Sequence, residues 1–163
     1  MIEHDLPALI KNETCAVTGH RTLKENFDRK KLDGKFTEII EKGYKYFLVG
    51  MALGFDTECF LSLERLRKKF TDIKIVAVIP CADQAAKFPP EERKEYNRML
   101  SSADYIAAEK RTYFKNCMLI RNNFLVENSS YLLAYYDGES KKGGTYYTVS
   151  RAKKLGVITE NIY

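Results

Sequence analysis

The sequence predicts an α/β protein: a single three-layer, Rossmann-like domain built on a mainly parallel, doubly wound sheet. Three observations carry that expectation. Apolar runs with strand character alternate with segments of helical periodicity from one end of the chain to the other, without an internal repeat or a linker. Three of the apolar runs end directly in short glycine-bearing signatures. A chain of 163 residues, 45% of them hydrophobic, is also long enough to bury one sizeable core.

The elements follow in order. Cys15-Ala16-Val17 is the first strand, and it leads to Thr18-Gly19-His20-Arg21. Leu32, Phe36, Ile39 and Ile40 then recur at helical spacing, with Gly43 as a stop. The second strand, Tyr46 to Val49, ends in Gly50-Met51-Ala52-Leu53-Gly54-Phe55-Asp56, and a helix places Phe55, Cys59, Leu63, Leu66 and Phe70 on one face. Ile73 to Ile79 reads as a buried strand ended by Pro80; Glu91 to Ser101 reads as a helix entered after Pro89-Pro90. A short strand over Asp104 to Ala107 precedes a polar loop, Glu109 to Asn116. The helix from Cys117 to Glu127 is expected to turn Ile120, Phe124 and Leu125 to the core. Tyr131 to Tyr136 is the fifth strand, followed by Asp137-Gly138, then Gly143-Gly144-Thr145 and a helix to Leu155. Gly156 closes it, and Val157-Ile158 adds a short last strand.

In such a sheet the strand C-termini gather on one edge, where the following helices present free N–H groups that attract anions. Glycine lets the backbone approach a phosphate closely. Thr18, Gly19, His20 and Arg21 form one candidate grip, with Arg21 offering a planar two-pronged donor set and His20 a donor or proton carrier. Gly50, Gly54 and Asp56 form a second; Asp56 either holds a ligand hydroxyl or caps its helix. Gly143, Gly144 and Thr145, with Asp137 before them, are the sharpest phosphate candidate, and Lys142 reads as a solvated loop lysine. Tyr113-Phe114 either stacks on a base as a lid or tucks into the domain. Cys81 has no activating neighbour in sequence and reads as a structural thiol.

Composition excludes several classes. No stretch is apolar for the roughly 20 residues of a membrane span, and Met1 to Asp5 lacks the basic start and apolar core of a secretory signal. Residues 1–13 are taken as an extension to the domain, and the expected location is cytoplasmic. Cys15, Cys59, Cys81 and Cys117 are widely spaced, which suits reduced thiols. With His4 and His20 the sole histidines, no metal cluster is expected. A net charge of +5 spread over several helices is compatible with an anionic ligand and decides nothing more.

Taken together, Cys15 to Arg21, Gly50 to Thr57, Ile79-Pro80-Cys81, Gln84-Ala85, Arg121-Asn122 and Tyr136-Asp137-Gly138 through Gly143-Gly144-Thr145 resemble the YpsA-like branch of the SLOG superfamily. That superfamily includes the DprA/Smf DNA-processing proteins and the LOG-type nucleotide phosphoribohydrolases. The likeness runs from about Thr14 to Ile158 and implies a Rossmann-like fold with a pocket for a nucleotide or nucleotide derivative. It also implies that Arg121 and Asn122 line the pocket, as a similarly placed pair does in DprA-like relatives; helix packing is their competing role. The LOG glycine motif carries a further glycine and, three positions after its threonine, a glutamate where this chain has Thr148, so the LOG reaction is not implied. Relatives tend to have tryptophan near Glu58 and Phe88; this chain contains none.

The leading expectation is therefore a cytoplasmic binding or sensor domain for a nucleotide-like small molecule. Thr18, Gly19, His20, Arg21, Gly50, Gly54, Asp56, Arg121, Asn122, Asp137, Gly143, Gly144 and Thr145 are its candidate ligand-binding residues. No catalytic residue is assigned. A nucleotide-processing hydrolase would use Asp56 or Glu58 with His20, and a DprA-like domain would bind single-stranded DNA through basic helices and loop tyrosines. Magnesium is compatible with a phosphate ligand, and self-association with this fold.

Overall fold

A computed structural model describes residues 1–163. Its strands are β1 (Glu3–His4), β2 (Thr14–Gly19), β3 (Tyr46–Val49), β4 (Lys74–Ile79), β5 (Tyr105–Ala108), β6 (Tyr131–Tyr135) and β7 (Ile158–Asn161). The helices are α1 (Arg29–Glu41), α2 (Phe55–Arg67), α3 (Pro90–Ser102), α4 (Cys117–Glu127) and α5 (Gly144–Lys154). One sheet holds all the strands in the order β1-β5-β4-β3-β2-β6-β7. Every pairing is parallel except β1 with β5.

The inner strands read as continuous apolar runs because both their faces are covered. Cys15, Val17, Phe47, Val49, Ile75 and Ala77 point to one side and join Leu32, Phe36 and Ile39 of α1, Phe55, Cys59 and Leu63 of α2, and Tyr96 and Met99 of α3. The alternate residues Ala16, Leu48, Val76, Leu132 and Ala134 point to the other side and meet Leu125 and Val126 of α4 and Val149 and Ala152 of α5. Each fully buried valine, leucine, isoleucine or phenylalanine among them contributes about 1.5–3 kcal/mol. Three layers result.

Local chemistry sets the helix ends. Asp28 caps α1 by accepting from Lys30 N at 2.9 Å and Lys31 N at 3.1 Å. Across the α1–α2 contact, Asp33 accepts from Ser62 and Arg65, and Arg29 forms a two-pronged bond to Glu58 at 2.8 and 2.9 Å.

Three local expectations change. Glu3–His4 add an edge strand, which two exposed polar residues give no pattern to foresee. The last strand runs Ile158–Asn161 rather than over Val157-Ile158. Ile120 is 40% exposed: α4 turns Leu125 inward as expected, but with Val126, Arg121 and Asn122 rather than Ile120.

The topology places a crevice. From β2 the chain steps outward through β3, β4 and β5, then crosses back to β6 on the other side of β2. Accordingly α1, after β2, and α5, after β6, leave toward opposite faces. At such a switch point the strand C-termini open a cleft. No helix is long and apolar enough to cross a membrane.

Candidate functional site

A cleft of about 330 Å³ lies at this switch point. The end of β2 gives it Thr18, Gly19, His20 and Arg21; the β3–α2 region gives Ala52 and Asp56; α4 gives Met118, Arg121 and Asn122; and the β6–α5 region gives Ser140, Lys142, Gly143, Gly144 and Thr145. The residues singled out in sequence thus converge from four segments, apart from Gly50, Gly54 and Asp137, which stand behind the lining.

Those three have other work. Gly54 caps α2 with φ of +83°, and a Cβ there would lie 2.2 Å from the Arg21 carbonyl oxygen. At Gly50 a Cβ would lie 2.7 Å from Arg121 Nη1 and 3.1 Å from Asp56 Oδ2, so glycine makes room for these two buried side chains. Asp137 organises its own loop: it accepts from Ser140 N at 3.0 Å, Glu139 N at 2.9 Å and Ser140 Oγ at 2.9 Å. Those backbone donors hold its carboxyl down at about 2. Its N–H donates to His20 Nε2 at 2.9 Å, which ties the β2 loop to the β6 loop.

Arg121 is the innermost cation, 7% exposed. Nε donates to Asn122 Oδ1 at 2.9 Å, and Nη1 donates to the carbonyls of Gly50 and, at 3.3 Å, Val78. Nη2 makes no hydrogen bond within the chain, and no carboxylate pairs with the guanidinium. Burial pulls its pKa down, with Asp56 opposing. Asn122, 6% exposed, spends its oxygen on Arg121 and keeps its Nδ2 beside Gly144. Gly143, with φ of +95°, precedes α5 and no side chain caps the helix N-terminus, so the N–H groups of its first turn stay open.

Asp56 is the one carboxylate in the cleft, and its hydrogen bond comes from Ala52 N at 3.1 Å; it does not cap α2. Burial drives its carboxyl up to about 6, against the pull of Arg121 and Arg21. An unfolded aspartate titrates near about 3.9. The folded state therefore holds the proton more tightly. Stability from this group is full below about pH 4 and is lost as pH rises through about 6. Asp56→Asn, with no charge to bury, is expected to stabilise the fold by about 1–3 kcal/mol at pH 8 and to lose that advantage at about pH 4. Urea unfolding at both pH values checks it; an equal gain at each would reject ionisation as the cause.

Other candidates lie elsewhere. Glu58 is bound to Arg29 and stays outside the cleft. Cys81 is buried, which pushes its thiol up to about 12 and leaves it a weak nucleophile. Tyr113 is 64% exposed, Phe114 packs under the Arg111 guanidinium at 4.1 Å, and neither lines the cleft. Lys142 and Ser140, by contrast, do line it. Ser140 was legible in principle, since it lies between Asp137 and Gly143, in the loop that lines the cleft from Ser140 to Gly143.

The YpsA family model, described as the YspA SLOG family, matches residues 15–160, which span every one of these segments. The chain belongs to the YpsA SLOG family. Similar proteins agree: a UPF0398 protein of Bacillus cereus strain G9842 is 31% identical over 136 residues, covering 80% of this chain and 71% of its own. A UPF0398 protein of Bacillus thuringiensis strain Al Hakam matches over the same extent at 31% identity. Among solved structures, DNA processing protein A of Helicobacter pylori, described for its single-stranded DNA binding mode, superposes with a TM-score of 0.66 at 17% identity. That match covers 93% of this chain and 65% of the Helicobacter chain, so the chain spans about two thirds of that protein's length. The shared feature is the SLOG fold. In this YpsA-family chain the motifs at Gly19, Gly50 and Gly143 all meet at one cleft or directly behind it.

Proposed function

We propose that this domain is a cytoplasmic binding or sensor module for a nucleotide or nucleotide derivative. The observation that carries the reading is Arg121: a buried guanidinium with an unspent Nη2, lining a cleft beside the uncapped N-terminus of α5. Such a donor set suits a phosphate. Arg21 and Lys142 at the rim add positive charge, and Asp56 offers the one carboxylate acceptor, which suits a ribose hydroxyl. A magnesium ion arriving with the phosphate would find Asp56 as the sole carboxylate there.

Thermal shift and calorimetric titration with AMP, ADP-ribose, a nicotinamide dinucleotide and a short oligothymidylate test this. A nucleotide at about 100 times its dissociation constant stabilises the fold by about 2.7 kcal/mol. Silence from every small nucleotide would refute the reading.

A second reading, single-stranded DNA binding, is favoured by the fold shared with DNA processing protein A and by the exposed Arg21 and Lys142 at the cleft mouth. It requires oligothymidylate affinity to fall steeply with salt as counterions are released. A flat salt dependence would remove it.

A further inference from the structure

Two donors from distant elements converge on the Gly50 carbonyl. Arg121 Nη1 of α4 is one; Gln84 Nε2, in the loop after β4, is the other at 2.9 Å. Gln84 is held in turn, because Tyr96 OH on α3 donates to its Oε1 at 2.9 Å. Tyr96 is buried and packs edge-on against Phe88. Both ends of the Gln84 amide are therefore engaged, and turning it over would set its oxygen against a carbonyl. Neither Gln84 nor Tyr96 lines the cleft.

The backbone at this point needs such support. Met51, the next residue, is buried with φ of +62°. A non-glycine residue holds that conformation where its surroundings over-determine it. Gly50 has no side chain because a Cβ would clash with Arg121, and its carbonyl is held by the bonds from Arg121 and Gln84.

We propose that Gln84, backed by Tyr96, is a positioning residue of the anion site: it anchors the Gly50 carbonyl, and that carbonyl holds Arg121 with Nη2 left for the ligand. The proposal rests on the nucleotide-binding reading above. Without Gln84 the Gly50–Gly54 loop follows Arg121 instead of restraining it, and the guanidinium samples orientations that do not meet a phosphate.

The test uses Gln84→Leu and Tyr96→Phe in the full chain, with AMP as the probe. Two quantities are read: AMP affinity by calorimetry, and solvent exchange of the Arg121 Nε–H in ¹H–¹⁵N spectra without ligand. Gln84→Leu is expected to weaken AMP about tenfold and to speed that exchange; Tyr96→Phe does both more mildly. Gln84→Leu added to Arg121→Met should cost no further affinity, because both act through one guanidinium. Unchanged affinity with unchanged exchange overturns the proposal, as does full additivity of the two losses. Should the wild type bind neither AMP nor any other small nucleotide, the nucleotide reading falls, while Arg121 exchange still decides whether Gln84 positions it. Should Gln84→Leu fail to fold, Tyr96→Phe carries both readouts.

Discussion

Gly54→Ala is expected to destabilise the domain by about 3 kcal/mol or more. Two costs add at one atom. The residue sits at φ of +83° and ψ of −119°, where an L side chain is strained, and its Cβ would lie 2.2 Å from the Arg21 carbonyl oxygen and 2.6 Å from the Arg21 Cα. That neighbour is backbone and cannot rotate away. Relief requires the β2 loop to move, which would break the bond from Phe55 N to His20 O at 3.1 Å and open the cleft wall. Gly34→Ala is the control, since Gly34 lies inside α1 with nothing near its missing Cβ. There alanine is expected to stabilise by about 0.5–1 kcal/mol through helix propensity. Urea midpoints compare the two; a Gly54→Ala loss under about 1 kcal/mol would show that the loop yields more readily than its geometry states.

Arg121→Met is expected to weaken nucleotide binding by about a hundredfold or more while changing stability little. Methionine fills similar volume without charge. The affinity loss follows from removing a desolvated cation that faces the ligand, a change that costs about 2–5 kcal/mol in buried pairs. Stability is cushioned because burying an arginine without a carboxylate partner is itself expensive, and the Gly50 carbonyl keeps its bond from Gln84. The Asp56 carboxyl also loses the largest charge opposing its protonation and is expected to titrate above its present value of about 6. Calorimetry with AMP and urea unfolding of the same variant separate the effects. Affinity within about threefold of wild type would remove Arg121 from the site.

Much of the fold was legible because its strands are covered on both faces. That burial forces the near-continuous apolar runs at 15–17, 46–49, 73–79 and 131–136, each punctuated by glycine, proline or a polar turn. The helices α1 and α2 were legible for the complementary reason: one buried face imposes spacing on Leu32, Phe36 and Ile39, and on Phe55, Cys59 and Leu63. The bounds of α4, Cys117–Glu127, were legible too, but its inward face was not, since the run Cys117-Met118-Leu119-Ile120 is apolar all round its first turn and leaves that face undecided. Packing on the sheet selected Arg121, Asn122, Leu125 and Val126, and left Ile120 outside.

At the site, residue type was informative and role was not. An aspartate between a strand and a glycine looks the same whether it meets a ligand or closes its own turn, and Asp137 closes its turn. Gly50 reads as a phosphate glycine, yet the space it leaves is filled by a guanidinium 71 residues further on.

The chain itself determined the order of elements, the burial of the inner strands and the edge on which the glycine loops emerge. These follow from local periodicity and backbone freedom, which neighbouring residues settle among themselves. Only the tertiary structure decided that β6 returns beside β2, that Arg121 comes to rest against Gly50 and Asp56, and that Gln84 and Tyr96 stand behind them. Hydrogen-bond partners and buried charges are fixed by which distant surfaces pack together, and no local pattern in the sequence records that choice.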